Sequence, residues 1–104
     1  MAWFFLLIAG ALEIVWAFFL KQTEGFTRLG PSLITLVALV GSLIFLSLSL
    51  RALPLGTAYA IWTGIGAVGT FVLGIIVLGE PASAMRLAAA GLIVSGLVLM
   101  KLSA

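Results

Sequence analysis

From Ala52 to Gly79 the chain carries no charged residue, and three further stretches are nearly as apolar. The candidate spans are about 2–20, 31–50, 55–78 and 84–102. Each is close to the ~20 residues that a helix needs to cross a ~30 Å hydrocarbon core. Lipid offers no partners to a bare backbone, so a span of this kind must bond its N–H and C=O groups internally, as a helix. The expectation is an all-α membrane protein, one domain over 1–104 with four transmembrane helices. Composition agrees: 8% of residues are charged, against roughly a quarter in soluble domains. The opening MAWFFLLIAG has no basic n-region, and its apolar run continues; it reads as the first span and not as a cleaved signal.

The breaks between spans are short and carry turn chemistry. Gly30-Pro31 opens the second span, with proline tolerated in a first helical turn. Leu53-Pro54-Leu55-Gly56 separates the second from the third, and Gly79-Glu80-Pro81 ends the third. Such loops force neighbouring helices to run antiparallel. Loops one and three then share a membrane side and hold Lys21, Arg28 and Arg86, while Arg51 and Lys101 lie on the other. Lys/Arg counts set orientation, and this near-balance leaves both orientations accessible. The chain is expected to insert both ways and to pair with an antiparallel second copy.

Several function classes drop out. With no cysteine and no histidine, there is no disulfide framework, thiol chemistry or His-ligated metal centre. No metal or cofactor is expected, and an enzyme has little to work with. A net charge of +2 without a basic patch gives no nucleic-acid surface. Gly64-Ile65-Gly66-Ala67-Val68-Gly69 matches G-x-G-x-x-G in letters only. That fingerprint needs a preceding strand and a phosphate at a helix N-terminus; here it lies inside an apolar helix, so no nucleotide is expected. Its glycines permit a kink or close helix contact.

One residue is out of place. Glu13 sits within the first span, with no basic residue near it. Acids inside spans mark ion or proton pathways. On a helical wheel Glu13 shares a face with Leu6, Ala9, Gly10, Trp16, Ala17 and Leu20. In the second span Thr35, Ser42 and Ser49 form a thin polar stripe; in the third, Tyr59, Trp62, Thr63, Gly66 and Thr70 share a side. Trp16 and Trp62 either pack in the bundle or wall a flat cation. Ser42 either bonds its own i−4 carbonyl or orients Glu13. Tyr59 serves an interface or the site. In the fourth span Ala84, Ala88, Gly91 and Ser95 form a small-residue face suited to close helix packing, and this helix is assigned to assembly. Four short helices barely enclose a cavity, so a dimer with two copies of Glu13 converging is the economical arrangement.

Over its whole length the chain resembles the small multidrug resistance family of bacterial exporters. The resemblance rests on length, four spans, Ala11-Leu12-Glu13-Ile14-Val15, Glu24-Gly25-Phe26-Thr27-Arg28 and Ala58-Tyr59-Ala60-Ile61-Trp62-Thr63-Gly64. It is most similar to the guanidinium-exporter (Gdx) branch, through Gly10 to Lys21, where a tryptophan follows three residues after the acid. The resemblance implies an antiparallel homodimer in the bacterial inner membrane that exchanges protons for guanidinium ion. It implies that Glu13 is the shared proton and substrate site, and that Gly10, Trp16, Ser42, Tyr59 and Trp62 line or support it. Thr63 and Gly66 are further candidates, and family dimer contacts fall on span four, including Gly91 and Ser95.

A guanidinium fork suits a carboxylate bidentately, and two nearby carboxylates titrate as a coupled pair. Proton and cation would then displace each other. Three alternatives remain open from sequence: a broad exporter of quaternary ammonium or aromatic cations, a passive cation channel, and a structural subunit of a heteromeric membrane complex.

Overall fold

A computed structural model describes residues 1–103. The chain forms four helices: α1 (Ala2–Gln22), α2 (Leu29–Ser49), α3 (Leu55–Leu78) and α4 (Ala84–Ser103). All four are long and apolar enough to cross a membrane. They match the expected spans, with the first starting at the expected residue and running two residues longer, because Lys21 and Gln22 still complete the last turn. Among the described residues there is no strand.

The turns behave as their residues dictate. Pro54 is the N-cap of α3 in extended conformation, and Gly79 ends it with φ of 68°, a left-handed setting that favours glycine. Loop one is tighter. Glu24, Gly25 and Phe26 are all left-handed, with φ of 50°, 73° and 65°. Each non-glycine member costs roughly 1–2 kcal/mol, and Thr23 supplies the compensation. Its buried hydroxyl donates to the Leu20 carbonyl at 2.7 Å and accepts from the Phe26 amide at 3.2 Å. Its carbonyl accepts from Thr27 and Arg28.

The bundle is a slab, 40 × 34 × 16 Å, little thicker than one ~10 Å helix. α1 lies between α2 and α3, and α4 packs its backbone only on α3. The core is small: Leu6, Ala9, Leu46, Ala58, Ile61 and Trp62. α2 turns a stripe of small residues inward, Ser32, Thr35, Ala38, Ser42, Leu46 and Ser49. The polar stripe read from the sequence therefore faces protein. Thr35 and Ser49 satisfy their hydroxyls within α2, on Pro31 and Leu46 at 2.8 and 2.7 Å. Ser42 does not, and it becomes part of the site.

α1 and α3 interlock through glycines. A β-carbon at Gly10 would strike Ile65, and one at Gly69 would strike Ile14. Gly64 takes Leu97 of α4 in the same way. These are the small-residue contacts that let apolar helices approach closely in lipid. Gly64 and Gly69 of the G-x-G-x-x-G stretch thus serve helix packing. Among the described residues none of α4 is fully buried, though Leu97 and Met100 pack against the core; its Lys101 reaches over the Trp3 ring at 4.9 Å.

Candidate functional site

The only acid within a span stands at the α1/α3 seam. Glu13 lays its carboxyl group on the bare backbone of Gly66: a β-carbon there would overlap Oε1, Cδ and Cγ of Glu13. The single ion pair among the described residues, Lys21–Glu80, lies elsewhere, so Glu13 has no cation partner among them. Its Oε1 is buried without a hydrogen-bond partner. The Trp16 indole N–H and the Thr70 hydroxyl are in the same condition. Trp16 is one turn from Glu13 on α1, and Thr70 is one turn from Gly66 on α3. Buried polar atoms are ordinarily satisfied, so the two unmet ones on neighbouring turns of the α1/α3 seam, Glu13 Oε1 and the Thr70 hydroxyl, mark it as a place for a polar ligand.

Below the acid, one hydroxyl ties three helices together. Ser42 of α2 donates to the Ala9 carbonyl of α1 at 2.7 Å and accepts from the Trp62 indole N–H of α3 at 2.9 Å. Ser42 does not bond its own i−4 carbonyl, and it makes no direct bond to the carboxylate. It acts one turn away, on the carbonyl that the α-helical register assigns to the Glu13 amide. Trp62 is buried at 8% exposure, with its N–H committed to Ser42. Tyr59 is 53% exposed and tilts against Trp62 with ring centroids 5.5 Å apart.

The structure thus brings together Glu13 and Gly66, and separately Ser42, Trp62 and Tyr59. Gly10 is buried one turn below Glu13, against Ile65. Tyr59 stands seven residues before Gly66 along α3, about 10 Å in helical rise, so within one chain it does not reach the carboxylate. Thr63 points outward and is exposed, as are Gly91 and Ser95 on α4. The Ser95 hydroxyl is satisfied on Gly91 O at 2.8 Å. Sequence reasoning passed over two features. Glu80, which the sequence shows only as part of the turn ending the third span, pairs with Lys21 at 2.8 Å. Thr70 was placed on the right face, but nothing in a sequence shows that its hydroxyl lacks the usual helical acceptor.

A sequence model of the Small Multidrug Resistance protein matches residues 1–93. The chain belongs to the small multidrug resistance family. Curated relatives are close over nearly the whole length. The guanidinium exporter of Citrobacter freundii is 59% identical over 103 residues, covering 99% of this chain and 98% of that protein. That of Salmonella typhimurium strain LT2 is 60% identical over 104 residues, covering 100% and 99%. That of Yersinia pseudotuberculosis is 55% identical over 103 residues, covering 99% of each. As a small multidrug resistance protein with four apolar spans, it is a multi-pass protein of the bacterial inner membrane. The branch expected from the Gly10–Lys21 stretch is the branch for which these relatives are named.

Proposed function

We propose that this protein exports guanidinium ion across the bacterial inner membrane in exchange for protons, as an antiparallel homodimer, with Glu13 of both copies binding protons and guanidinium in mutual exclusion. The carrying observation is the Glu13 carboxylate: mid-span, against Gly66, with no ion-pair partner among the described residues. A buried charge in that position must take a proton or an ion. Identity of 55–60% to relatives named guanidinium exporter supports the choice of ion.

The chemistry of the residues supports these roles. Guanidinium presents parallel N–H donors that a carboxylate accepts in pairs. Trp16 offers an N–H for orientation. Trp62, whose own N–H is taken by Ser42, is buried within one chain, and the exposed Tyr59 ring against it is the surface that would wall a planar cation in a dimer. Gly10 and Ser42 brace α1 so that the carboxylate is held in place. Thr63 lies on the exposed edge of α3 beside Tyr59, where a second chain would bring it to the site.

Dimerisation has its own support. A slab 16 Å thick leaves one face of every helix uncovered, and α4 offers Gly91 and Ser95 on an unburied surface. The near-equal Lys/Arg count on the two sides permits opposite insertion. In such a pair two Glu13 carboxylates titrate together, and the inward- and outward-open forms are related by exchange of the subunits' roles.

Purified protein in proteoliposomes under an imposed pH gradient tests the reading. Guanidinium accumulation driven by the gradient, lost in Glu13→Gln, is expected. Flux indifferent to the gradient would replace antiport with a channel, and preference for a bulky aromatic cation would move the substrate class.

A further inference from the structure

α1 and α3 run in the same direction, and their facing residues advance in step. Glu13, Ala17 and Lys21 follow at four-residue intervals on α1, and Gly66, Thr70 and Gly74 do so on α3. The first rung is the Glu13 carboxyl on Gly66. At the second, Ala17 and Thr70 line a cavity of about 100 Å³. At the third, Glu80 is folded back by the left-handed Gly79 and by its backbone N–H, which donates to the Gly74 carbonyl at 3.0 Å. It rests its carboxylate on Gly74 as Glu13 does on Gly66, and it accepts Lys21 Nζ at 2.8 Å. Lys21 and Glu80 both line the same cavity, at the end of the α1/α3 seam nearest loops one and three.

The Thr70 hydroxyl lies between these two acids, buried and without a partner in the chain. A helical threonine ordinarily donates to its i−4 carbonyl, as Thr35 does to Pro31; Thr70 leaves that bond unmade. Its residue stands about 6 Å in helical rise from Gly66, the reach of one water bridging two hydrogen bonds.

We propose that this cavity is the route by which protons reach Glu13 from the membrane face bearing loops one and three. Thr70 is the positioning residue of that route, and the Lys21–Glu80 pair is its lid. The proposal rests on the exchange reading above. The volume holds water, which needs a cavity of at least about 10–15 Å³ and several polar partners; Thr70, Glu80 and Lys21 supply them. The substrate fits this route poorly, because the Glu80 carboxylate is already taken by Lys21 Nζ, the Thr70 hydroxyl alone cannot satisfy the N–H donors of a guanidinium, and Lys21 presents an ammonium. A proton passing Thr70 leaves the residue unchanged: the hydroxyl accepts from the cavity water and donates towards Glu13. In an antiparallel pair each membrane face would have one such entrance.

The test compares two modes of transport in proteoliposomes. Thr70→Val should cut proton-driven guanidinium uptake by at least about tenfold while guanidinium self-exchange at symmetric pH changes by no more than about twofold, and Thr70→Ser should restore uptake. An equal fall in both modes would make Thr70 structural and overturn the proposal, as would no fall in either. Wild-type protein that exchanges no guanidinium at all would instead overturn the functional reading. The cysteine-free chain allows a second measurement that does not depend on transport. Ala17→Cys should react with a small water-soluble thiol reagent faster than the exposed, apolar-face Val37→Cys, and faster still with Lys21→Gln. Equal rates at the two positions would overturn the water route.

Discussion

Replacing Gly66 by alanine should move the carboxylate at the centre of the site while leaving the fold almost untouched. The added β-carbon would overlap Oε1, Cδ and Cγ of Glu13. The obstacle is a side chain, so relief comes from rotating Glu13 and not from shifting α3. Overpacking costs ~1–3 kcal/mol, and alanine returns ~0.8–1.0 kcal/mol in helix propensity over glycine. Stability therefore changes little, but the displacement falls wholly on the carboxylate. If ~1–3 kcal/mol is lost from guanidinium binding, affinity falls by about 5- to 140-fold. Isothermal titration calorimetry on detergent-solubilised protein measures this directly. Gly56→Ala is the control, since nothing lies within 4 Å of its added β-carbon; it should bind like wild type. Gly66→Ala binding within about twofold of wild type would refute the idea that Gly66 fixes the position of Glu13.

Ser42→Ala should destabilise the bundle by ~1–3 kcal/mol, because it orphans the buried Trp62 N–H as well as removing the bond to Ala9. A double-mutant cycle with Trp62→Phe, read by unfolding in mixed micelles, should give a coupling of ~0.6–1.7 kcal/mol; additive effects would break the assigned bond. Gly91→Leu on the uncovered face of α4 should raise the monomer fraction in lipid by at least about tenfold, the effect of ~1.4 kcal/mol at a small-residue contact. Single-molecule counting checks it, and an unchanged dimer fraction would place the interface elsewhere.

The fold was largely legible because lipid removes alternatives. Long apolar runs in a bilayer have one secondary structure open to them, and Gly30-Pro31, Pro54 and Gly79-Glu80-Pro81 mark their ends with residues whose backbone demands are local. Glu13 stood out for the same reason, as a charge where charges are costly. What the sequence left open depends on rotation and depth, which periodicity does not specify. Thr35, Ser42 and Ser49 form one stripe by spacing, yet only Ser42 meets a neighbouring carbonyl in place of its own. Tyr59 and Thr63 share a helical side with Trp62 and Gly66 but fall on its exposed edge. The pairing of Lys21 with Glu80 joins residues far apart in the chain, and it depends on the left-handed turn at Gly79 that folds Glu80 back across α3.

The central claim is that a proton and a guanidinium ion compete for Glu13. Adding guanidinium to the purified protein in weak buffer, at a pH where Glu13 is protonated, measures this most directly with a pH-sensitive dye. Competition predicts that each binding event releases protons, that apparent affinity weakens by up to about tenfold for each unit the pH is lowered, and that Glu13→Gln releases none. Guanidinium binding without proton release, at an affinity unchanged by pH, would contradict it.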